Sequence, residues 1–563
     1  MNDLAPLSLA SHPADPDKKV PFAQDVVVLT KQEHIELVWR ANWWESLHKR
    51  VLKREVELEE ELALEKAKVR DLTQRLYGKK SEKRNKREKG TKGDSASTSR
   101  PRGQQPGSKG HGRTERPHLP VVGEILDLPE HEKYCQDCGE PHVVLPGTDD
   151  SEITEVQVQA YTRQIKRKKY ARCRCQGNQG VLTAPPAPRV LNRSPIGVSV
   201  WTEVLLDKFL YAQATNRLCT DFGYLGYPLS QGTITDGLKR LAPLLKPLVK
   251  AMLDKQLAER LFHADETGWR VFEKIDHKEG YRWYLWLMQS PSVAYYVMAP
   301  GRDADVPIEH FRGLADGITE VFLICDRYSA YKKLVKNIPV ILLAFCWAHV
   351  RRDFIDAARS WPELTDWMFN WVKDIGELYH LNKLRLCHWD RDQPLNKQSA
   401  AFNQHQQALL KKLSAMQEQR DACLQQQDLQ EVQQSVLTSL KNHWSGLILF
   451  TEHPQIAMDN NLAERGVRNP VTARHRFYGS GCVWSAQLAA IMFTLLQTLL
   501  LWDINPRHWL RCYLTTCAEN GGQAPIDLAP FLPWKMTQKR MQMLSLPTPM
   551  SEADDTRFIQ DSG

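Results

Sequence analysis

The sequence predicts a multidomain α/β protein: a mixed β-sheet with helices on its faces, interrupted by an all-α insertion and preceded by a long helix, a cysteine-bearing module and a helical segment. Three observations carry this. Strand-type apolar runs occupy 261–272, 281–288 and 293–298, and two more, at 321–326 and 340–345, follow a helical stretch near 304–314. Three strands in a meander, then strand–helix–strand, make a mixed sheet. The stretch from Ala348 to Phe450 is helical, polar and rich in Gln and Lys, so it reads as an insertion. At 563 residues, finally, the chain is too long for one core.

Taken in order, residues 1–30 form a tail without periodicity, and 31–77 read as one helix. Trp44, Val51, Leu58 and Leu72 fall on one seven-residue repeat, and Leu62, Val69 and Leu76 on the other heptad position. Glu55 and Glu65 interrupt the seam. The pattern fits a short coiled coil pairing two chains, or an amphipathic helix packed on its own domain. Residues 78–116 form a basic linker whose charge suits phosphates or simple solvation. In 117–190, Cys135-x-x-Cys138 and Cys173-x-Cys175 flank strand-like sequence. Four thiolates in two close pairs suit one tetrahedral zinc in a zinc-finger-like module; unrelated thiols are the alternative. Residues 191–259 are helical, and the turn Leu229-Ser230-Gln231-Gly232 before a leucine-rich helix fits a DNA-reading helix-turn-helix or an ordinary core pair. The sheet sequence is divided into 260–347 and 451–525 by the insertion at 348–450, and 526–563 form a C-terminal tail.

The formal net charge of +8 permits a polyanionic partner without requiring one. The N-terminal sequence has no apolar signal core. The longest apolar stretch, Leu488 to Leu501, is broken by Thr494, Gln497 and Thr498 and reads as a buried helix, so no membrane partner is expected. Twelve cysteines without a secretory signature point to a reducing, cytoplasmic setting.

Three carboxylates stand where a sheet of this kind places its chemistry. Asp265 lies on the first strand, Asp326 ends the fourth, and Glu464 lies in Asp459-Asn460-Asn461-Leu462-Ala463-Glu464-Arg465 at a polar helix start. Crevices at strand carboxyl ends are the usual site in open α/β sheets. Hard oxygen ligands suit magnesium or manganese, and a pair of such ions activates a water and offsets charge on the leaving oxygen of a phosphodiester. Glu266 should point away from Asp265, because successive strand residues face opposite sides. Asp459 suits an N-cap. Cys346 and His349, three apart, share a helical face and read as structural braces, with a metal half-site as the other reading. Arg302, Arg351, Arg352, Arg465, Arg468, Arg474 and Arg476 are candidates for DNA phosphate contacts.

Seven segments in order resemble transposases of the insertion sequence 66 family: Leu76-Tyr77-Gly78-Lys79-Lys80-Ser81, Gly103-Gln104-Gln105-Pro106-Gly107, the two cysteine pairs, His263-Ala264-Asp265-Glu266-Thr267, Asp326-Arg327-Tyr328-Ser329-Ala330-Tyr331, Cys346-Trp347-Ala348-His349, and the block from Asp459 to Arg465. The resemblance implies a ribonuclease H-like catalytic fold, Asp265, Asp326 and Glu464 as the catalytic metal-binding triplet, two magnesium or manganese ions, and strand cleavage and transfer at the ends of a bacterial element. It also implies terminal inverted repeats and target DNA as partners, self-association on DNA, and room for accessory proteins of the same element. Arg327 departs from the glycine expected after the second aspartate. A nuclease that cuts without joining, or a non-catalytic DNA-binding derivative, are the competing functions.

Overall fold

The computed structural model describes residues 30–77, 125–142, 156, 158–171, 181–276, 278 and 280–545. The linker expected at 78–116, Cys173 and Cys175 lie outside them, as does the chain after 545. Two compact units result: residues 1–85 with 356–366, and 86–355 with 367–563.

The first unit holds α1 (Lys31–Tyr77), a continuous helix of 47 residues. Thr30 caps it, accepting from Glu33 N at 3.2 Å while Glu33 accepts from Thr30 N at 2.8 Å. The heptad residues Trp44, Val51, Leu58, Leu62 and Val69 are all exposed on the single chain. The side chains of Leu72 and Leu76 are not among those described.

The second unit begins with a short antiparallel pair, β1 (Lys169–Ala171) and β2 (Val181–Thr183). Helices α2 (Val198–Phe209), α3 (Thr215–Tyr224) and α4 (Gln231–Gln256) follow. Ser230 caps α4 by accepting from Thr233 N at 3.1 Å. The helices have no core of their own: Trp201, Leu205, Leu241 and Leu248 belong to one buried cluster with Trp269, Leu285 and Leu496. Gly237 permits this, since a Cβ there would lie 1.8 Å from the Trp201 ring.

The sheet comprises β3 (Leu261–Arg270), β4 (Arg282–Gln289), β5 (Ala294–Ala299), β6 (Val321–Cys325) and β7 (Ile341–Phe345). Between them lie α5 (Asp305–Phe311) and α6 (Ser329–Asn337). Spatial order is β5-β4-β3-β6-β7: β3 pairs antiparallel with β4 and β4 with β5, whereas β3, β6 and β7 run parallel. This is the mixed sheet read from the apolar runs, with boundaries shifted by a residue or two.

From β7 the chain enters α7 (Trp347–Ser360), α8 (Thr365–Leu386), α9 (Ala400–Leu424), α10 (Glu431–Asn442) and α11 (Trp444–Ile448). Buried Arg385 ties the insertion together, donating to Gln406 Oε1 at 2.7 Å and to the Phe450 and Thr451 carbonyls at 3.0 and 3.2 Å. The insertion leaves and returns at nearly one point. Trp347 N donates to the Met458 carbonyl at 2.9 Å, and Trp347 Nε1 to that of Leu447 at 2.7 Å. Closely spaced ends let a long segment enter a fold without disturbing its core.

After the insertion come α12 (Asn461–Gly466), α13 (Arg468–Phe477), α14 (Val483–Leu501), α15 (Pro506–Glu519) and α16 (Gln538–Leu544). Among the described residues α14 is the one helix long and apolar enough to cross a membrane, but much of it is buried inside the protein. The threonines that interrupt its apolar run have a task. Thr498 and Thr494 accept from the Ala294 and Tyr296 N–H groups at 3.2 and 3.0 Å. Those donors lie on the outer edge of β5, so α14 covers an edge that would otherwise invite pairing with another strand. Residues 526–545, expected to begin a tail, instead pack: Phe531, Leu532 and Leu544 are buried. Trp509 Nε1 donates to the Phe531 carbonyl at 3.0 Å.

Candidate active site

Asp265 and Asp326 meet through strand register. In the parallel pairing Leu261 faces Phe322 and His263 faces Ile324. Two residues further on, the same register sets Asp265 beside Asp326, which lies one residue past β6. Asp265 Oδ1 accepts from Glu266 N at 2.9 Å and Asp326 Oδ1 from Tyr328 N at 2.9 Å, which fixes both carboxylates at the sheet's crevice.

Glu464 reaches this crevice because α12 is clamped to β3. Buried Asn460, just before α12, donates from Nδ2 to the Ala264 carbonyl at 2.7 Å and pairs through Oδ1 with His263 Nδ1 at 3.0 Å. Its own N–H donates to Cys346 Sγ at 3.2 Å. One side chain and its amide thus join β3, the end of β7 and the Glu464 helix. At the helix's other end Gly466 allows close approach to β4: a Cβ there would lie 2.4 Å from Leu287 Cδ2, and its carbonyl accepts from Tyr296 Oη at 2.8 Å.

The electrostatics follow from this crowding. Burial, then the charges of Glu266, Asp326 and Glu464, push the Asp265 carboxyl up to about 8. A partly buried acid among three others favours the neutral form unless a cation is present. Glu266 is also raised, by burial and by Asp326, although Arg302 opposes the shift. Arg302 Nε donates to Glu266 Oε1 at 2.8 Å, Tyr331 Oη donates to Glu266 Oε2 at 2.9 Å, and the guanidinium lies 3.9 Å from the Tyr328 ring centroid. Glu266 therefore has partners of its own, whereas Glu464 Oε1 is buried with no hydrogen bond. The nearest polar neighbours of Glu464 are loose: Arg352 Nη2 is 3.9 Å from Oε2, and Nδ1 of His349, whose imidazole burial holds toward the neutral form, is 3.7 Å from Oε1. Crowded, under-neutralised carboxylates supplied by rigid elements are a donor set that fits hard divalent cations.

The remaining sequence candidates divide. Arg465, Arg468 and Arg476 are exposed. Arg474 is tethered, donating from Nη1 to Thr267 Oγ1 at 3.1 Å and to the Gly268 carbonyl. Arg351 and Arg352 lie partly buried on α7. Asp459 is not the N-cap, which is Asn460; from one residue earlier it accepts from Asn461 N at 3.1 Å. Arg327, where glycine was expected, donates to Ser439 Oγ at 2.9 Å and pairs with Asp353, so it binds the end of β6 to the insertion. Cys135 and Cys138 share a tight turn in which Gly139 N donates to the Cys135 carbonyl at 2.9 Å. Asn460 and His263 were missed by sequence reasoning. The signal was faint: Asp459, Asn460 and Asn461 in a row before Glu464 offer more capping side chains than one helix start uses, and Asp459 takes the Asn461 N–H.

A mixed sheet on which Asp265, just past the end of the parallel pairing of β3, meets Asp326, just past β6, defines a class of α/β protein with a crowded acidic crevice. Within that class, residues 193–488 match the family model described as "Transposase IS66 family", and the chain belongs to that family. Among its relatives are two proteins of Sinorhizobium fredii. Uncharacterized protein y4hP is 24% identical over 441 residues, covering 73% of this chain and 75% of the relative. Uncharacterized protein y4jD is 26% identical over 442 residues, covering 74% and 80%. Two solved structures are similar over parts of the chain. A pre-cleavage Mos1 transpososome is 12% identical with a TM-score of 0.12, covering 30% of this chain and 63% of that one. A Mos1 transposase paired-end complex with left transposon end is also 12% identical with a TM-score of 0.12, covering 49% and 84%.

Proposed function

We propose that this chain is a DDE transposase that cleaves and transfers DNA strands at the ends of a bacterial insertion sequence, through a ribonuclease H-like catalytic domain. The observation that carries the reading is the register that sets Asp265 beside Asp326, with the charge of Glu464 acting on Asp265. A three-strand antiparallel meander continued by two parallel strands supports the fold assignment. Asp265, Asp326 and Glu464 would hold two magnesium or manganese ions. When bound, the ions would acidify the attacking water or DNA 3′-hydroxyl and offset charge on the leaving oxygen. Asn460 holds the Glu464 helix against the strand bearing Asp265. Arg302 and Tyr331 engage Glu266 and keep it from competing for the ions. Exposed Arg465, Arg468 and Arg476, with Arg351 and Arg352, would contact phosphates of the terminal inverted repeats or target.

The exposed apolar seam of α1 would pair chains on DNA, and Cys135 and Cys138, with Cys173 and Cys175, would hold a structural zinc. Activity would belong to the bacterial cytoplasm, at the nucleoid, with accessory proteins of the same element as further partners. The test is cleavage and joining of labelled DNA from the element's own ends by purified protein with magnesium. Asp265→Ala, Asp326→Ala and Glu464→Ala should each abolish both steps while leaving DNA binding intact. Asp326→Ala with wild-type cleavage would sink the assignment; cleavage without joining would make the protein a nuclease.

A further inference from the structure

Glu464 has a second set of neighbours. Cys346 Sγ, a nitrogen of His349 and a carboxylate oxygen of Glu464 all lie within 4.8 Å of one another. Cys346 is fully buried, and its sulfur accepts the Asn460 N–H at 3.2 Å. His349 Nδ1 and Glu464 Oε1 are 3.7 Å apart, and both atoms are buried without a hydrogen-bond partner. Two orphaned polar atoms at that separation, with a thiol sulfur beside them, are spaced as neighbouring ligands of a tetrahedral ion with bonds of roughly 2.0–2.3 Å. Sulfur and imidazole select zinc-like ions over magnesium, which prefers all-oxygen octahedra. Three protein ligands would leave the fourth position open, and the Asn460 amide on the sulfur is the kind of outer contact that fixes a ligand. Arg352 Nη2 lies 3.9 Å from Glu464 Oε2, the carboxylate oxygen other than the one that faces His349.

We propose that Cys346, His349 and Glu464 form a second cation site, selective for a zinc-like ion, whose occupancy removes Glu464 from the magnesium-binding triplet and holds the catalytic site off. The inhibitory part rests on the function proposed above; the site itself does not. On binding, the Cys346 thiol gives its proton to solvent as the sulfur–metal bond forms, and no other bond changes.

Cobalt(II) is the probe for the site, used with the full-length chain carrying Cys135→Ser, Cys138→Ser, Cys173→Ser and Cys175→Ser to remove the other paired thiols. A sulfur-to-cobalt charge-transfer absorption should grow to one equivalent and survive excess magnesium. Adding Cys346→Ser, which keeps a hydrogen-bond acceptor for Asn460, should abolish the band. His349→Gln should weaken cobalt affinity by at least about 100-fold, the upper end of what loss of an outer partner costs. In parallel, one equivalent of zinc should slow magnesium-dependent cleavage about tenfold in the same protein with all four paired cysteines replaced, the loss expected when zinc holds about nine in ten sites. The ratio of rates with and without zinc should be near one once Cys346→Ser is added. A cobalt band that Cys346→Ser leaves unchanged overturns the site. A band that disappears while zinc never inhibits overturns the sharing of Glu464. A Cys346-dependent band in a protein that never cleaves DNA supports the site and counts instead against the transposase chemistry.

Discussion

Asn460 Nδ2 donates to the Ala264 carbonyl at 2.7 Å, one residue before Asp265 and four before Glu464. A neutral side chain therefore sets the distance between two carboxylates that would repel each other if left to themselves. Its removal should be felt twice. Asn460→Ala leaves the Ala264 carbonyl and His263 Nδ1 buried without their partner, at a cost of about 2–4 kcal/mol. Denaturant unfolding should show that loss. Divalent-ion affinity, measured by titration calorimetry, should fall as well, because Glu464 is no longer held. A variant with unchanged stability and unchanged magnesium affinity would remove Asn460 from the site.

The proton balance of Asp265 gives a second expectation. Its carboxyl is raised to about 8 in the metal-free protein. A raised acid is harmless below its unfolded value and costs stability progressively as pH rises from there to the folded one, beyond which the loss levels off. Metal-free protein should therefore lose thermal stability from about pH 4 to pH 8, and magnesium should restore it, most at the upper end. Glu266 is shifted the same way and adds to the slope. Asp265→Asn should flatten the metal-free profile and remove the magnesium effect. A wild-type midpoint that does not respond to pH or magnesium would contradict the arrangement.

The four basic side chains around α12 and α13 should separate by their tethering. Arg465, Arg468 and Arg476 are exposed, whereas Arg474 is bound to Thr267 and Gly268 on β3. If the first three contact phosphates, replacing each with Ala should reduce the salt dependence of DNA binding, by about 0.9 in the logarithmic slope per contact. Arg474→Ala should instead lower stability, because it frees a strand carbonyl and a hydroxyl. Filter binding across a salt series, beside thermal unfolding, distinguishes the two behaviours.

Much of this was legible in the sequence because it is local. Leu261-Phe262-His263-Ala264 and Val321-Phe322-Leu323-Ile324-Cys325 are β-type runs bounded by turns, and the carboxylates stand at definite places on them. What sequence could not supply was contact across long separations. Nothing near Asn460 announces Ala264, 196 residues away. Glu266 pairs with Arg302, 36 residues on, by virtue of where α5 begins. The supposed tail after 526 packs because α15 offers Trp509 and Tyr513 to the edge-to-face contacts of Phe531, and aromatic contact of that kind has no period to read. Arg327 looked like a departure from a turn; its partners Asp353 and Ser439 lie in the insertion, which only the fold brings near.

The last expectation concerns α1. Among the described residues twelve large apolar side chains along it are exposed on the single chain: Ile35, Leu37, Val38, Trp39, Trp43, Trp44, Val51, Leu52, Val56, Leu58, Leu62 and Val69. Such a surface is larger than a solitary helix needs, and heptad spacing suits a second helix of the same kind. Glu55 and Glu65 weaken the seam, so pairing of the free protein should be concentration-dependent. DNA held by both chains would raise their effective concentration and favour the pair. Replacing Leu58, Leu62 and Val69 with Gln should shift sedimentation of the free protein toward the monomer. In gel shifts with end DNA the same variant should lose paired-end complexes while keeping single-end ones. Paired-end complexes that survive unchanged would mean that α1 packs for another reason and that chains meet through a different surface.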